Sequence, residues 1–129
     1  MSLALCIAEG ARTVVVAATA FTLSWTHTVE RVAWEEDWLV TADGLKIVEA
    51  RVKGSGAGME PPAGAVLRDG WWHYAPGVPP QPRVALASSG AAGSTWRLCA
   101  GTSCQDIGVS GGDAVELAAC VATREDPEK

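Results

Sequence analysis

The sequence predicts an all-β fold, a small antiparallel β-barrel or β-sandwich built from hairpins. Three observations carry this reading. Apolar residues come in short runs cut by turn signals, most clearly Glu9-Gly10, Asp43-Gly44, Asp69-Gly70 and Gly111-Gly112. Phe21 to Val29 alternates strictly between apolar or ring-bearing residues and hydroxyl residues, the period of a half-buried strand. No segment repeats its apolar residues at helical spacing.

Taken in order, Leu3–Ala8 and Arg12–Val16 read as a first hairpin around Glu9-Gly10. Phe21, Leu23, Trp25, His27 and Val29 then share one face of a strand, while Thr22, Ser24, Thr26 and Thr28 share the other. The parity flips afterwards, because Val32, Trp34, Glu36, Trp38 and Val40 form the next buried face. Such a flip needs a bulge or turn, expected around Glu30-Arg31. Asp43-Gly44 turns the chain into Leu45–Val52. The stretch from Lys53 to Pro62 is rich in Gly and Pro and reads as a loop. Leu67 to Tyr74 is a further hairpin, and Pro76 to Pro82 a Pro-rich connector. Arg83–Ser88, Ser94–Cys99, Cys104–Ile107 and Ala114–Val121 complete the strands. Residues 1–122 form a single β domain on this reading, and the charged tail 123–129 is expected to fray.

Composition narrows the function. The chain has 129 residues and a formal net charge of −5, with 10 Lys plus Arg against 15 Asp plus Glu. That balance argues against a nucleic-acid partner, which calls for a basic face. The longest apolar run, Val14 to Phe21, is far shorter than the ~18 residues of a membrane helix, so no membrane span is expected. An export signal is weakly suggested by Arg12, Thr13–Ala17 and Ala18-Thr19-Ala20. Glu9 and the short apolar core oppose it. Leu3-Ala4-Leu5-Cys6 lacks the apolar segment that a lipoprotein signal needs. A cytoplasmic location follows, with a periplasmic one as the alternative.

Four cysteines are present. Cys99 and Cys104 flank Ala100-Gly101-Thr102-Ser103, a four-residue hairpin loop, and both fall on the outer face of that hairpin. Cys6 and Cys120 lie in apolar runs near opposite ends of the chain. The preferred pairing is Cys99–Cys104 with Cys6–Cys120, and the alternative is four reduced thiols. One C-x4-C without a nearby His makes no zinc site, and neither a metal nor a cofactor is expected.

The densest chemistry runs from Ser24 to Trp38. It gathers Trp25, His27, Glu30, Trp34, Glu36 and Trp38. Glu36 falls on a buried face between two indoles, so its carboxylate needs a partner or a shifted pKa. His27, Arg31 and Arg51 are the candidate partners, while Glu35 and Asp37 face solvent. His27 reads as a core residue, a ligand-binding group or a general base oriented by Glu36 or Glu30. Gly54, Gly56, Gly58 and Met59 belong to the Gly-rich loop. It is either an irregular crossover or an anion cradle walling a pocket. In Trp71-Trp72-His73-Tyr74, Trp71 and His73 share one face and Trp72 and Tyr74 the other. Trp71, Trp72 and Tyr74 therefore serve a second packed layer or an exposed partner-binding surface. No nucleophile elbow, Walker loop, HExxH or paired CxxC appears.

The stretch Phe21 to Glu30 with Trp34-Glu35-Glu36, the loop Gly54 to Met59, and Trp96-Arg97-Leu98-Cys99 with Cys104 together resemble one bacterial family. It is the Domain of Unknown Function 1850 family, and the resemblance covers roughly residues 3 to 120. Thr28 stands where the family usually has Ser, which keeps the hydroxyl. The matching residues are His27, Glu30, Trp34, Glu36, Gly54, Gly56, Gly58, Met59, Cys99 and Cys104. The resemblance implies no activity. Family genes often lie beside tripartite ATP-independent periplasmic (TRAP) transporters of the TAXI type. It therefore implies a link to solute uptake. The expected function is a non-enzymatic accessory module that binds a TRAP transporter component or a small solute. The alternatives are a small enzyme based on His27 and a structural interaction domain anchored by Trp71 and Trp72.

Overall fold

Alternation gives each strand one apolar face, and the computed structural model stacks those faces as two antiparallel sheets. It describes residues 2–26, 32–53, 63–87, 96–108 and 114–122. These form β1 (Ser2–Glu9), β2 (Arg12–Val16), β3 (Ala20–Thr26), β4 (Ala33–Thr41), β5 (Gly44–Lys53) and β6 (Val66–Arg68). They continue with β7 (Trp71–Tyr74), β8 (Arg83–Leu86), β9 (Trp96–Ala100), β10 (Ser103–Ile107) and β11 (Val115–Ala122). One sheet runs β2-β1-β11-β8 and the other β10-β9-β3-β4-β5-β7-β6. The fold is thus all-β and sandwich-like. Of the two expected architectures, the closed barrel is not the one adopted. Among the described residues no helix is long and apolar enough to cross a membrane.

The core lies between the sheets. Leu5, Ile7, Val115 and Leu117 of the smaller sheet meet Phe21, Leu23, Trp38, Val40, Leu45, Ile47, Leu98 and Ile107 of the larger one. Each fully buried Leu or Ile contributes about 1.5–3 kcal/mol. Two crossings stitch the sheets together. Val40 N–H donates to Thr19 O (2.9 Å), in the link from β2 to β3. Leu45 and Gln81 exchange two backbone bonds of 2.8 and 2.9 Å where the chain approaches β8. Gly44 has a φ of 126°, and a Cβ there would collide with the Gln81 backbone, so glycine is required at this approach.

β5 carries a bulge. Asp37 lies opposite Glu49, but Trp38 lies opposite Ile47, so Val48 has no partner on β4. Leu45 and Ile47 point inward before the bulge, and Ala50 and Val52 point inward after it. Glu49 and Arg51 are thereby turned to the outer face.

Two disulfides cross the ladders. Cys6 of β1 joins Cys120 of β11, 5.9 Å apart at Cα and 114 residues apart in sequence. Cys99 of β9 joins Cys104 of β10, its direct neighbour across the ladder, at 4.0 Å. That hairpin is tighter than the expected four-residue loop. Ala100 and Ser103 pair as strand residues, leaving Gly101-Thr102 as the turn, with Gly101 at φ 62°.

Candidate functional site

The seven-stranded sheet has two chemically different faces. On its inner face, Trp25 and Trp34 are cross-strand partners whose rings stack at 5.9 Å and 8°. Trp96 tilts onto Trp25 at 4.5 Å. One step along, Trp38 stacks on Phe21 at 6.1 Å and donates its Nε1–H to Glu36 Oε1 at 3.1 Å. Register places Glu36, Ala50 and Tyr74 in one row across β4, β5 and β7. The small Ala50 leaves the carboxyl and the phenol facing across it. Burial pushes the Glu36 carboxyl above its ordinary range, and the Trp38 hydrogen bond offsets only part of this. Burial also raises the Tyr74 phenol, with the Glu36 charge adding to it.

On the outer face one guanidinium holds three carboxylates. Arg51 Nε donates to Glu35 Oε1 (2.6 Å), and Nη1 donates to Asp37 Oδ2 and Glu49 Oε2 (both 2.8 Å). Nη2 reaches Asp37 Oδ1 at 3.1 Å, making that pair bidentate. Thr22 Oγ1 donates to the same Asp37 oxygen at 2.8 Å. His73 Nδ1 lies 3.1 Å from Glu49 Oε2. An ionised carboxylate only accepts, so Nδ1 carries the proton of this bond. The Arg51 hydrogen bonds hold Asp37 below its usual range, and the His73 bond does the same for Glu49. The same partners raise Arg51 further above its ordinary value. Among the described residues no group of three or more His, Cys, Asp or Glu side chains is arranged to hold a metal ion.

Two clefts open on this outer face, on either side of His73. One, of about 380 Å³, is lined by Val48, Glu49, Val66, Arg68, His73, Tyr74 and Ala75. The other, of about 360 Å³, is lined by Glu35, Arg51, Arg68, Asp69, Trp71 and His73. They share His73 and Arg68. Lys53 Nζ sits 5.5 Å from the centre of the Trp71 ring. A larger cleft of about 530 Å³ opens between β1–β2 and β10 around Ile7, Arg12 and Ile107, and among the described residues none of the expected site residues lines it.

The expected residues therefore divide. Trp25, Trp34 and Glu36 come together on the inner face, with Trp72 and Tyr74 further along it. Trp71 stands on the opposite face beside His73. His27, Glu30, Gly54, Gly56, Gly58 and Met59 lie outside the described residues. One expectation is corrected. Arg51 does not partner Glu36, because the Val48 bulge sends it to the other face. Glu35 and Asp37 do face outward, but both are pinned by Arg51 rather than left to solvent. The outer cluster of Arg51, Glu49, His73 and Arg68 was not anticipated from the sequence. A signal for it exists: apolar residues at 45 and 47 resume at 50 and 52, one residue out of phase.

Comparison with known proteins gives one match. A family described as a domain of unknown function (DUF1850) matches residues 21–107. No curated protein and no solved structure matches the chain.

Proposed function

The chain belongs to the DUF1850 family, and from that premise we propose that it is a non-enzymatic binding module, an accessory to TAXI-type TRAP solute uptake. Its binding surface is the outer face of β5, β7 and β6. The observation that carries this reading is the pair of clefts meeting at His73 and Arg68. Their volumes fall at the lower end of the roughly 300–1,000 Å³ typical of ligand sites. They also join apolar walls (Val48, Val66) to an aromatic ring and to charges of both signs.

Binding suits this chemistry better than proton transfer. Asp37 and Glu49 are pulled below the usual carboxylate range and stay ionised at neutral pH, where a general acid or base needs a pKa near the working pH. The His73 ring is fixed by Glu49, which is itself held by Arg51. Two disulfides suit an oxidising compartment, so the cell envelope is the proposed place of work.

The test uses the purified solute-binding component of a TAXI-type transporter from the same cell, titrated against the immobilised chain. Saturable binding is expected, weakened at least tenfold by Trp71→Ala combined with Arg68→Glu. Lack of binding by the wild type would remove the transport link. Binding undiminished in the double variant would place the surface elsewhere.

A further inference from the structure

The Cys99–Cys104 bond sits at the β10 end of the larger sheet, the last strand among the described residues. Among the described residues, β10 has β9 as its one neighbouring strand. Cys104 is exposed and Cys99 half-buried. The two residues are direct partners across the ladder, so the sulfur–sulfur bond points from β9 toward that end of the sheet. We propose that Cys99–Cys104 is a thiol-exchange site, opened by a dithiol reductant that attacks Cys104.

Direction follows from how exchange works. A thiolate attacks one sulfur along the line of the bond while the other sulfur leaves, so access along that line selects the target. The line through Cys104 continues past β10, beyond the last described strand of the sheet. The line through Cys99 continues over β3, where Thr22 lies directly opposite. β3 therefore covers the Cys99 side of the bond, while Cys104 stands exposed.

The step balances within the named reactants. A thiolate of the dithiol bonds to Cys104 Sγ, and the bond to Cys99 breaks. Its electron pair leaves with Cys99, whose thiolate takes a proton from water. The second thiol of the reductant then attacks its own sulfur in the mixed disulfide and releases Cys104. This chain gains two electrons, and the reductant departs as a disulfide. The backbone pairs between Trp96–Ala100 and Ser103–Ile107 still hold the hairpin. Cys6–Cys120 differs on each count. It closes a loop spanning 114 residues, between the two central strands of its sheet.

The full chain, incubated in graded dithiothreitol, acid-quenched, alkylated and mapped by peptide mass, tests this. Cys99–Cys104 is expected to open at a dithiothreitol concentration at least tenfold below that for Cys6–Cys120, with the Trp fluorescence still native. Brief exposure to reduced glutathione is expected to leave at least tenfold more adduct on Cys104 than on Cys99. Simultaneous opening of both bonds, opening only after the fluorescence reports unfolding, or equal adducts on the two sulfurs would each overturn the proposal.

Discussion

Glu36 and Asp37 are consecutive residues of β4, and their carboxyl groups are pushed in opposite directions. The pleat sends one inward among indoles and the other outward onto a guanidinium. Burial dominates on the inner face and raises the pKa. Hydrogen bonding to a cation dominates on the outer face and lowers it. Side-chain type settles neither outcome; the environment on each side of one strand does.

Breaking the outer face is expected to have the largest effect. Arg51→Met leaves Glu35, Asp37 and Glu49 converging with no guanidinium among them. A cost of about 1–3 kcal/mol is expected, less than for a fully buried pair because these carboxylates are partly solvated. Urea denaturation at pH 7 measures it. The pH dependence should also invert. In the wild type, the contribution of Asp37 and Glu49 is present above their unfolded values and lost as pH falls through their lowered folded ones. In the variant, clustered negative charge makes protonation stabilising, so the loss at pH 7 should shrink toward pH 4.

Glu36→Gln sharpens the inner side, with a smaller effect of opposite sign. The amide keeps an oxygen for the Trp38 indole and removes a charge that burial disfavours. A gain of about 0.5–1.5 kcal/mol at pH 7 is expected. The wild-type contribution of a raised carboxyl is full below its unfolded value and lost as pH rises through the folded one. The advantage of the variant should therefore disappear as pH falls toward 4.5. An advantage that persists unchanged at low pH would mean burial is not what perturbs Glu36.

The smallest effect separates the two aromatic populations. Trp38 is 7% exposed, while Trp71 borders an outer cleft. Trp71→Phe should lower the acrylamide-quenchable share of the emission, and Trp38→Phe should raise it. Equal responses would contradict the two-face arrangement.

The inner face was legible in the sequence because it follows strict alternation. Phe21, Leu23 and Trp25 against Trp34, Glu36 and Trp38 needed only a period of two and one turn. Trp71 and Trp72 were divided correctly between the faces for the same reason. The outer cluster was not legible, since it depends on register between strands. Arg51 meets Glu35, Asp37 and Glu49 only because Val48 is bulged out, and a bulge is fixed by the paired strand as much as by its own residues. His73 joins through β7, which reaches β5 only after the intervening chain has returned. A regular strand from Leu45 to Val52 would put Arg51 on the same face as Leu45 and Ile47, and so beside Glu36; the bulge reverses this.

The Cys6–Cys120 bond has a mechanical consequence. It joins β1 and β11, the two central strands of the smaller sheet, and Ser2 lies opposite Ala122 in the same ladder. Tension applied to the chain before Cys6 and after Cys120 passes from one strand to its neighbour through the covalent sulfur bridge. The intervening chain, with both aromatic faces and the outer clefts, lies inside that loop and carries no load. Pulling on the chain outside this loop therefore leaves both faces of the larger sheet undeformed.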